Sequence, residues 1–222
     1  MQIGNGNYLV IEGNIGAGKT SFSQKIAEAL DAKLILEQFS DNPFLPLFYK
    51  SPERYAFPVE LFFMSERHKQ LQEFLLEQDL FRQYTVSDYV FSKTLLFAGQ
   101  NLNGEELRLF QQIFNTLNAS FPKPDLLVYL HRPVDELLDN IKKRNRTYES
   151  GISEAYLQKI QQAYFEFFRI HQDKMSILLL DVSGFDFMQS ERDFKILTTA
   201  LAEKYEIGIH RRTADELRQI LS

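Results

Sequence analysis

Residues 13–20 read GNIGAGKT: a glycine, four further residues, then Gly-Lys-Thr. An apolar run at 8–11 precedes this segment. A helical pattern follows it, with Phe22, Ile26, Ala29 and Leu30 on one face. Strand, glycine-rich turn and helix in that order form a phosphate-gripping loop. The glycines let the backbone of Gly13, Asn14, Ile15, Gly16, Ala17 and Gly18 curl, so that successive N–H groups converge on phosphate oxygens. The helix N-terminus adds partial positive charge. Lys19 then reaches the β- and γ-phosphates, and the Thr20 hydroxyl ligates Mg²⁺. The setting separates this segment from an ordinary glycine-rich turn and predicts that the chain binds a nucleoside triphosphate.

The elements that position such a loop are legible around it. Five short apolar runs read as strands, at 8–11, 33–36, 84–86, 126–130 and 177–180. Helical patterns separate them: 54–78 with Val59, Phe62, Phe63 and Leu71, and 104–119 with Leu107, Phe110, Ile113 and Phe114. Two more carry Val134, Leu137, Leu138 and Ile141, and Leu157, Ile160, Tyr164 and Phe168. This alternation predicts an α/β fold with a parallel sheet covered on both faces. No repeat or linker divides the 222 residues, so 1–222 reads as one domain. From about Glu203 the chain reads as a tail, with a basic patch at His210-Arg211-Arg212 and a short amphipathic helix. Phe62, Phe63 and Met64 are consecutive and cannot share one helix face. A helix apolar on two sides predicts burial against a second subunit, a homodimer through helices 54–78 and 104–119. The alternative is a central place in its own domain.

Composition excludes several functions. A formal net charge of −5 argues against a general nucleic-acid surface. With no cysteine there are no disulfides, thiolate metal sites or thiol nucleophiles. No apolar run approaches the roughly 20 residues that span a bilayer. The start of the chain lacks the basic and apolar stretches of a signal peptide. The expectation is a soluble cytoplasmic protein with no membrane partner.

Four segments carry a resemblance to a known family: IEGNIGAGKTS at 11–21, EQF at 37–39, NPFLPLFYKSPERYAFPVELFF at 42–63 and IKKRNRTYESGISEAYL at 141–157. Together they resemble the deoxynucleoside kinases, over most of the chain from Ile11 to about Phe168. The resemblance implies a P-loop kinase fold with a five-stranded parallel sheet flanked by helices and a helical lid, here about 142–152. It implies transfer of the γ-phosphate of ATP, with Mg²⁺, to the 5′-hydroxyl of a deoxynucleoside. A 5′-hydroxyl needs its proton accepted, and Glu37, at the carboxyl end of the second strand, matches the family's general base. Arg144 and Arg146 match the lid arginines that close over the phosphates, a task suited to a planar, two-pronged cation. Lys142 and Lys143 serve as well to complement a helix C-terminus. Glu149 and Tyr49 match the residues that hold the sugar 3′-hydroxyl. Phe39 falls where relatives place a ring near the nucleobase, while Phe63 and Phe91 are weaker stacking candidates. The adenine of ATP is expected near the loop after the last strand, about 181–187.

This chain departs from the family at two places. Relatives carry an acidic-Arg-Ser triplet after the third strand, where ungapped alignment puts Ser87, Asp88 and Tyr89. A one-residue slip makes Asp88 the acid beside Mg²⁺ but restores no arginine, leaving Arg132 or a lid arginine to supply charge. The base-reading glutamine is replaced by Glu60, Arg67 matches a base-side arginine, and the aspartate that pairs with it becomes Lys93. Glu60 suits the two adjacent donors of guanine, with Arg67 or Lys93 facing its acceptors, which predicts deoxyguanosine over deoxyadenosine. Alternatively, Glu60 and Lys93 pair with each other. Two other functions stay open: a nucleoside monophosphate kinase resembling thymidylate kinase, and a nucleotide-binding protein that has lost catalysis.

Overall fold

The computed structural model describes residues 2–37, 42–76, 82–118, 121–146, 149 and 151–219. Six parallel strands form one sheet in the order β2-β3-β1-β4-β5-β6: β1 (Tyr8–Gly13), β2 (Lys33–Ile35), β3 (Thr85–Ser87), β4 (Leu126–His131), β5 (Ser176–Asp181) and β6 (Gly208–Arg212). The central strands are apolar on both sides because helices cover both faces. Leu9, Val10 and Ile11 in β1, and Leu126 to Leu130 in β4, are all buried. The strand order reverses around β1. In such sheets the crevice at the carboxyl ends beside the switch point is where ligands bind.

The helices are α1 (Lys19–Leu30), α2 (Leu45–Lys50), α3 (Pro52–Leu76), α4 (Lys93–Asn101), α5 (Gly104–Asn118), α6 (Val134–Arg144), α7 (Glu154–His171), α8 (Glu191–Leu201) and α9 (Ala214–Gln219). A second hydrophobic cluster lies beside the sheet core. It is built from α2, α3, α4 and α5, with Phe48, Val59, Met64, Leu71, Phe110 and Phe114 buried. Met64 faces this cluster, Phe62 and Phe63 are half-buried, and Leu61 is exposed, so the consecutive apolar residues of α3 do point to different sides.

One expectation is corrected. The sheet has six strands among the described residues, not five, because the basic patch forms β6 at the sheet edge. His210 and Arg212 are half-buried while Ile209 and Arg211 are exposed. An edge strand buries little, so its residues carry no apolar run for a sequence reading to find. No described helix is long and apolar enough to cross a membrane.

Candidate active site

The loop between β1 and α1 is shaped by its glycines. Gly16 and Gly18 sit at φ +85° and +90°, where an L side chain is strained. A Cβ on Gly16 would also lie 2.6 Å from the Leu137 carbonyl oxygen. Asn140 donates to the Gly16 carbonyl (2.9 Å), and Asn14 donates to that of Leu157 (2.8 Å), so α6 and the start of α7 hold the loop from behind. Lys19 folds back onto the carbonyls of Gly13 and Asn14, at 2.9 and 3.0 Å. Burial, then repulsion from Lys93, lower its ammonium to about 8. A phosphate is the ligand that would relieve this destabilised charge.

Asp88 fastens this loop to the end of β2. Its Oδ2 accepts from the Thr20 hydroxyl (2.6 Å) and its Oδ1 from the Glu37 N–H (2.6 Å). Burial and then the nearby Glu37 raise its carboxyl above the ordinary range. Ser87 is fully buried and its hydroxyl is spent on the Tyr89 carbonyl (2.7 Å). Of the two alignments after β3, then, the slipped one puts the acid beside Thr20, with no arginine next to it.

Charge comes instead from helices α3 and α4. Arg67 donates through Nε (2.8 Å) and Nη2 to Glu37 Oε1, and through Nη1 to Thr94 (2.9 Å). Lys93 Nζ lies 2.8 Å from Glu37 Oε2 and 3.9 Å from Glu12. Burial alone would raise the Glu37 carboxyl, but Arg67 and Lys93 outweigh it and hold the group well below the usual carboxylate range. This corrects the expectation that Arg67 and Lys93 face acceptors on a base; both are committed to Glu37. Nor does Lys93 pair with Glu60. Instead Glu60 Oε1 accepts from Asn101 (2.6 Å), while its buried Oε2 has no partner. Burial raises the Glu60 carboxyl to about 7, against the lowering effect of Asn101.

These groups line a cavity of about 120 Å³. Glu37, Glu60, Arg67, Asp88, Tyr49 and Glu149 are all in its wall, as is Phe63. Phe91 is not. It stacks on Phe114 at 5.1 Å in the helical core. Phe39 lies outside the described residues. A second, larger cavity of about 740 Å³ opens on the other side of the loop. It reaches Arg132 and the segment from Gly184 to Gln189, which overlaps the 181–187 loop expected near the adenine of a nucleotide. Arg132 pairs with Glu136 (2.6 Å), donates to the Phe185 carbonyl (2.8 Å) and has a buried Nε without a partner. It therefore belongs to this side and not to the Glu37 centre. Gly16, Lys19, Thr20, Arg144 and Arg146 line both cavities. Arg144 grips Glu149 with both prongs (2.6–3.1 Å), and Arg146 approaches the same carboxylate at 3.4 Å. Lys143 reaches the second cavity, while Lys142 is exposed beside Asp139 (3.9 Å).

Sequence reasoning overlooked Glu12, Phe97, Asn101 and Tyr156. Glu12 carried a signal: a carboxylate inside a buried strand, held by the Val90 N–H (3.0 Å) and the Tyr164 hydroxyl (2.8 Å). Asn101 and Tyr156 carried none, since ordinary helix residues become wall residues only through packing.

A parallel sheet, a phosphate-gripping loop at its switch point and a second cavity meeting that loop at Lys19 and Thr20 define a P-loop kinase. The profile of the family described as deoxynucleoside kinase matches residues 9–205, and the chain belongs to that family, a phosphotransferase acting on deoxynucleosides. It is 30% identical over 202 residues to a deoxyguanosine kinase of Bacillus subtilis, covering 88% of this chain and 96% of that one. It is also 30% identical over 185 residues to a deoxyadenosine kinase of Dictyostelium discoideum, covering 81% and 74%. A solved structure of deoxyadenosine kinase from M. mycoides with bound dATP superposes with a TM-score of 0.74, covering 87% of this chain and 97% of that one. At 21% identity, that likeness speaks to the fold.

Proposed function

We propose that this chain transfers the γ-phosphate of ATP to the 5′-hydroxyl of a purine deoxynucleoside, deoxyguanosine ahead of deoxyadenosine, in nucleotide salvage in the cytoplasm. The observation that carries the reading is the junction: two cavities of different size meet where Lys19, Thr20, Arg144 and Arg146 serve both. The larger takes the triphosphate and the smaller the nucleoside, whose sugar alcohol then faces Glu37. Glu37 accepts the 5′ proton. Arg144 and Arg146 neutralise charge spreading over the phosphoryl oxygens. Glu149 and Tyr49 hold the 3′-hydroxyl.

The Thr20 hydroxyl and Asp88 carboxylate, 2.6 Å apart, fit Mg²⁺, a hard cation that otherwise takes phosphate and water oxygens. Mg²⁺ would supply charge neutralisation at the phosphates. Among the described residues no group of three or more His, Cys, Asp or Glu forms an all-protein metal cage.

Labelled ATP tests the reading. Transfer to a deoxynucleoside supports it. Transfer only to nucleoside monophosphates, or binding without transfer, would replace it with one of the two other functions.

The purine preference rests on Glu60. Ionised, its unpartnered Oε2 accepts from guanine N1–H or the exocyclic amine; protonated, it donates to adenine N1. With the carboxyl at about 7, the ionised form dominates above that pH and the protonated form below it. The ratio of kcat/KM for deoxyguanosine over deoxyadenosine follows the ratio of ionised to protonated Glu60 and is therefore expected to rise by up to about a hundredfold between pH 6 and 8. Glu60→Gln is expected to flatten that profile. A ratio independent of pH in the wild type, or a clear pyrimidine preference, contradicts this role.

The homodimer through α3 and α5 belongs to the same proposal. Leu61 and Leu109 stand exposed on those helices, at 36% and 48%. Sedimentation is expected to give a dimer, and Leu61→Lys with Leu109→Lys a monomer. A monomeric wild type would dismiss the interface.

A further inference from the structure

Lys93 is a buried cation in an unfavourable place. It is the first residue of α4, where the helix N-terminus already carries partial positive charge, and its side chain is 4% exposed. Two carboxylates hold it there, Glu37 at 2.8 Å and Glu12 at 3.9 Å. Their settings differ. Glu12 is tied to the Val90 N–H and the Tyr164 hydroxyl and sits deeper, 1% exposed. Glu37 lines the cavity. Arg67, the other cation on Glu37, is fixed at three points, through Nε, Nη1 and Nη2. Lys93 makes one short bond, to Glu37 Oε2, and has a flexible stem and three donors. It lines the same cavity as Lys19, Thr20 and Asp88, and of Ser87, Asp88 and Tyr89 only Asp88 reaches that cavity, so this stretch brings no cation to it.

We propose that Lys93 is a catalytic residue: it leaves Glu37 as the 5′ proton arrives there and binds the phosphoryl group in transit. This rests on the kinase reading above. As the 5′-oxygen attacks, the O–P bond to the sugar forms and the bond from γ-phosphorus to the bridging oxygen breaks, ADP leaving with that electron pair. The 5′-oxygen gives its proton to Glu37, which becomes neutral. Lys93 thereby loses its nearest counterion at the moment when negative charge gathers on the equatorial oxygens nearby. Arg67 cannot follow, because Nη1 is held by Thr94 and Nε and Nη2 stay on Glu37 Oε1, which still accepts when Oε2 carries the proton. A lysine on a mobile stem can exchange one anion for the other without a backbone shift, and the pairing with Glu37 keeps it solvated by the protein until then.

The test compares Lys93→Met, Lys93→Arg and the wild type. Lys93→Met is expected to lower kcat by roughly 10²–10³-fold, as removal of one transition-state donor does. KM for ATP and nucleoside should stay within about threefold, since the contact forms only in transit. Lys93→Arg, which keeps the charge, is expected to recover most of the lost rate. A folded Lys93→Met enzyme with wild-type kcat overturns the proposal. So does a Lys93→Arg variant no faster than Lys93→Met. Should the methionine variant not fold, the wild type bound to ADP, aluminium fluoride and deoxyguanosine decides. Lys93 Nζ about 3 Å from a fluoride or the 5′-oxygen supports the role, and Lys93 still paired to Glu37 away from both overturns it. A wild type that phosphorylates no deoxynucleoside would instead sink the parent reading, so the two failures are distinguishable.

Discussion

Glu37→Gln is expected to lower kcat by roughly 10²–10⁴-fold, the range for losing a general base, while ATP binding persists. The amide keeps the size of the carboxylate and can still accept from Arg67, but it takes no proton from the sugar. Stability should fall as well. Arg67 and Lys93 are almost fully buried on this carboxylate, and removing its charge leaves both without their nearest anion. Breaking a buried pair in this way costs about 3 kcal/mol, or a Tm lower by roughly 6–12 °C at this size. The pH dependence follows from the sign of the shift. The folded carboxyl lies below its ordinary value of 4.5, so the contribution is complete above about that pH and is lost as pH falls below it. The stability gap between variant and wild type should therefore be full at pH 7 and shrink in acid. Calorimetry across pH beside steady-state kinetics checks both halves; wild-type turnover in a folded Glu37→Gln enzyme would remove Glu37 as base.

Lys19→Met is expected to act in opposite directions on function and stability. Function loses the cation that reaches the β- and γ-phosphates, roughly 10²–10³-fold in kcat. Affinity for ATP should weaken too. The ligand-free protein, in contrast, should become more stable. Lys19 is held at about 8 rather than 10.5, so folding opposes its charge, in full below about pH 8 and less as pH rises toward 10.5. Removing the ammonium relieves part of that penalty, about 1–2 kcal/mol after allowance for its partial exposure, or a Tm higher by roughly 3–6 °C at pH 7. A thermal scan with and without ATP reads both effects. A variant that melts below the ligand-free wild type would contradict the strained-lysine account.

The parts of this molecule that the sequence disclosed are those with strict local rules. The loop at 13–20 requires glycine where φ is positive, and Lys19 and Thr20 at fixed distances along the chain. Glu37 follows a strand, and strands end where a parallel sheet exposes its crevice, but that position alone marks an ordinary strand-end carboxylate; its proposed role came from the family resemblance. The central strands are apolar because both their faces are covered. β6 escaped because an edge strand needs no apolar run, and its residues read as a charged tail. The ion cluster on Glu37 escaped for a different reason. Glu37, Arg67 and Lys93 come from β2, α3 and α4, and side-chain reach, not sequence spacing, decides which anion a buried cation selects. Alignment put Arg67 and Lys93 on the base side of the pocket; packing turned both onto Glu37. It left Glu60 beside Asn101, a partner that no pattern marks.

Phosphoryl transfer of the proposed kind depends on where a nucleoside's 5′-oxygen comes to rest. A structure with bound deoxyguanosine measures this directly. The prediction is a 5′-oxygen about 3 Å from a Glu37 carboxylate oxygen, on the side facing Lys19 and Thr20, with the base beside Glu60. A nucleoside lodged in the cavity near Arg132, or one whose 5′-oxygen points away from Glu37, would contradict it.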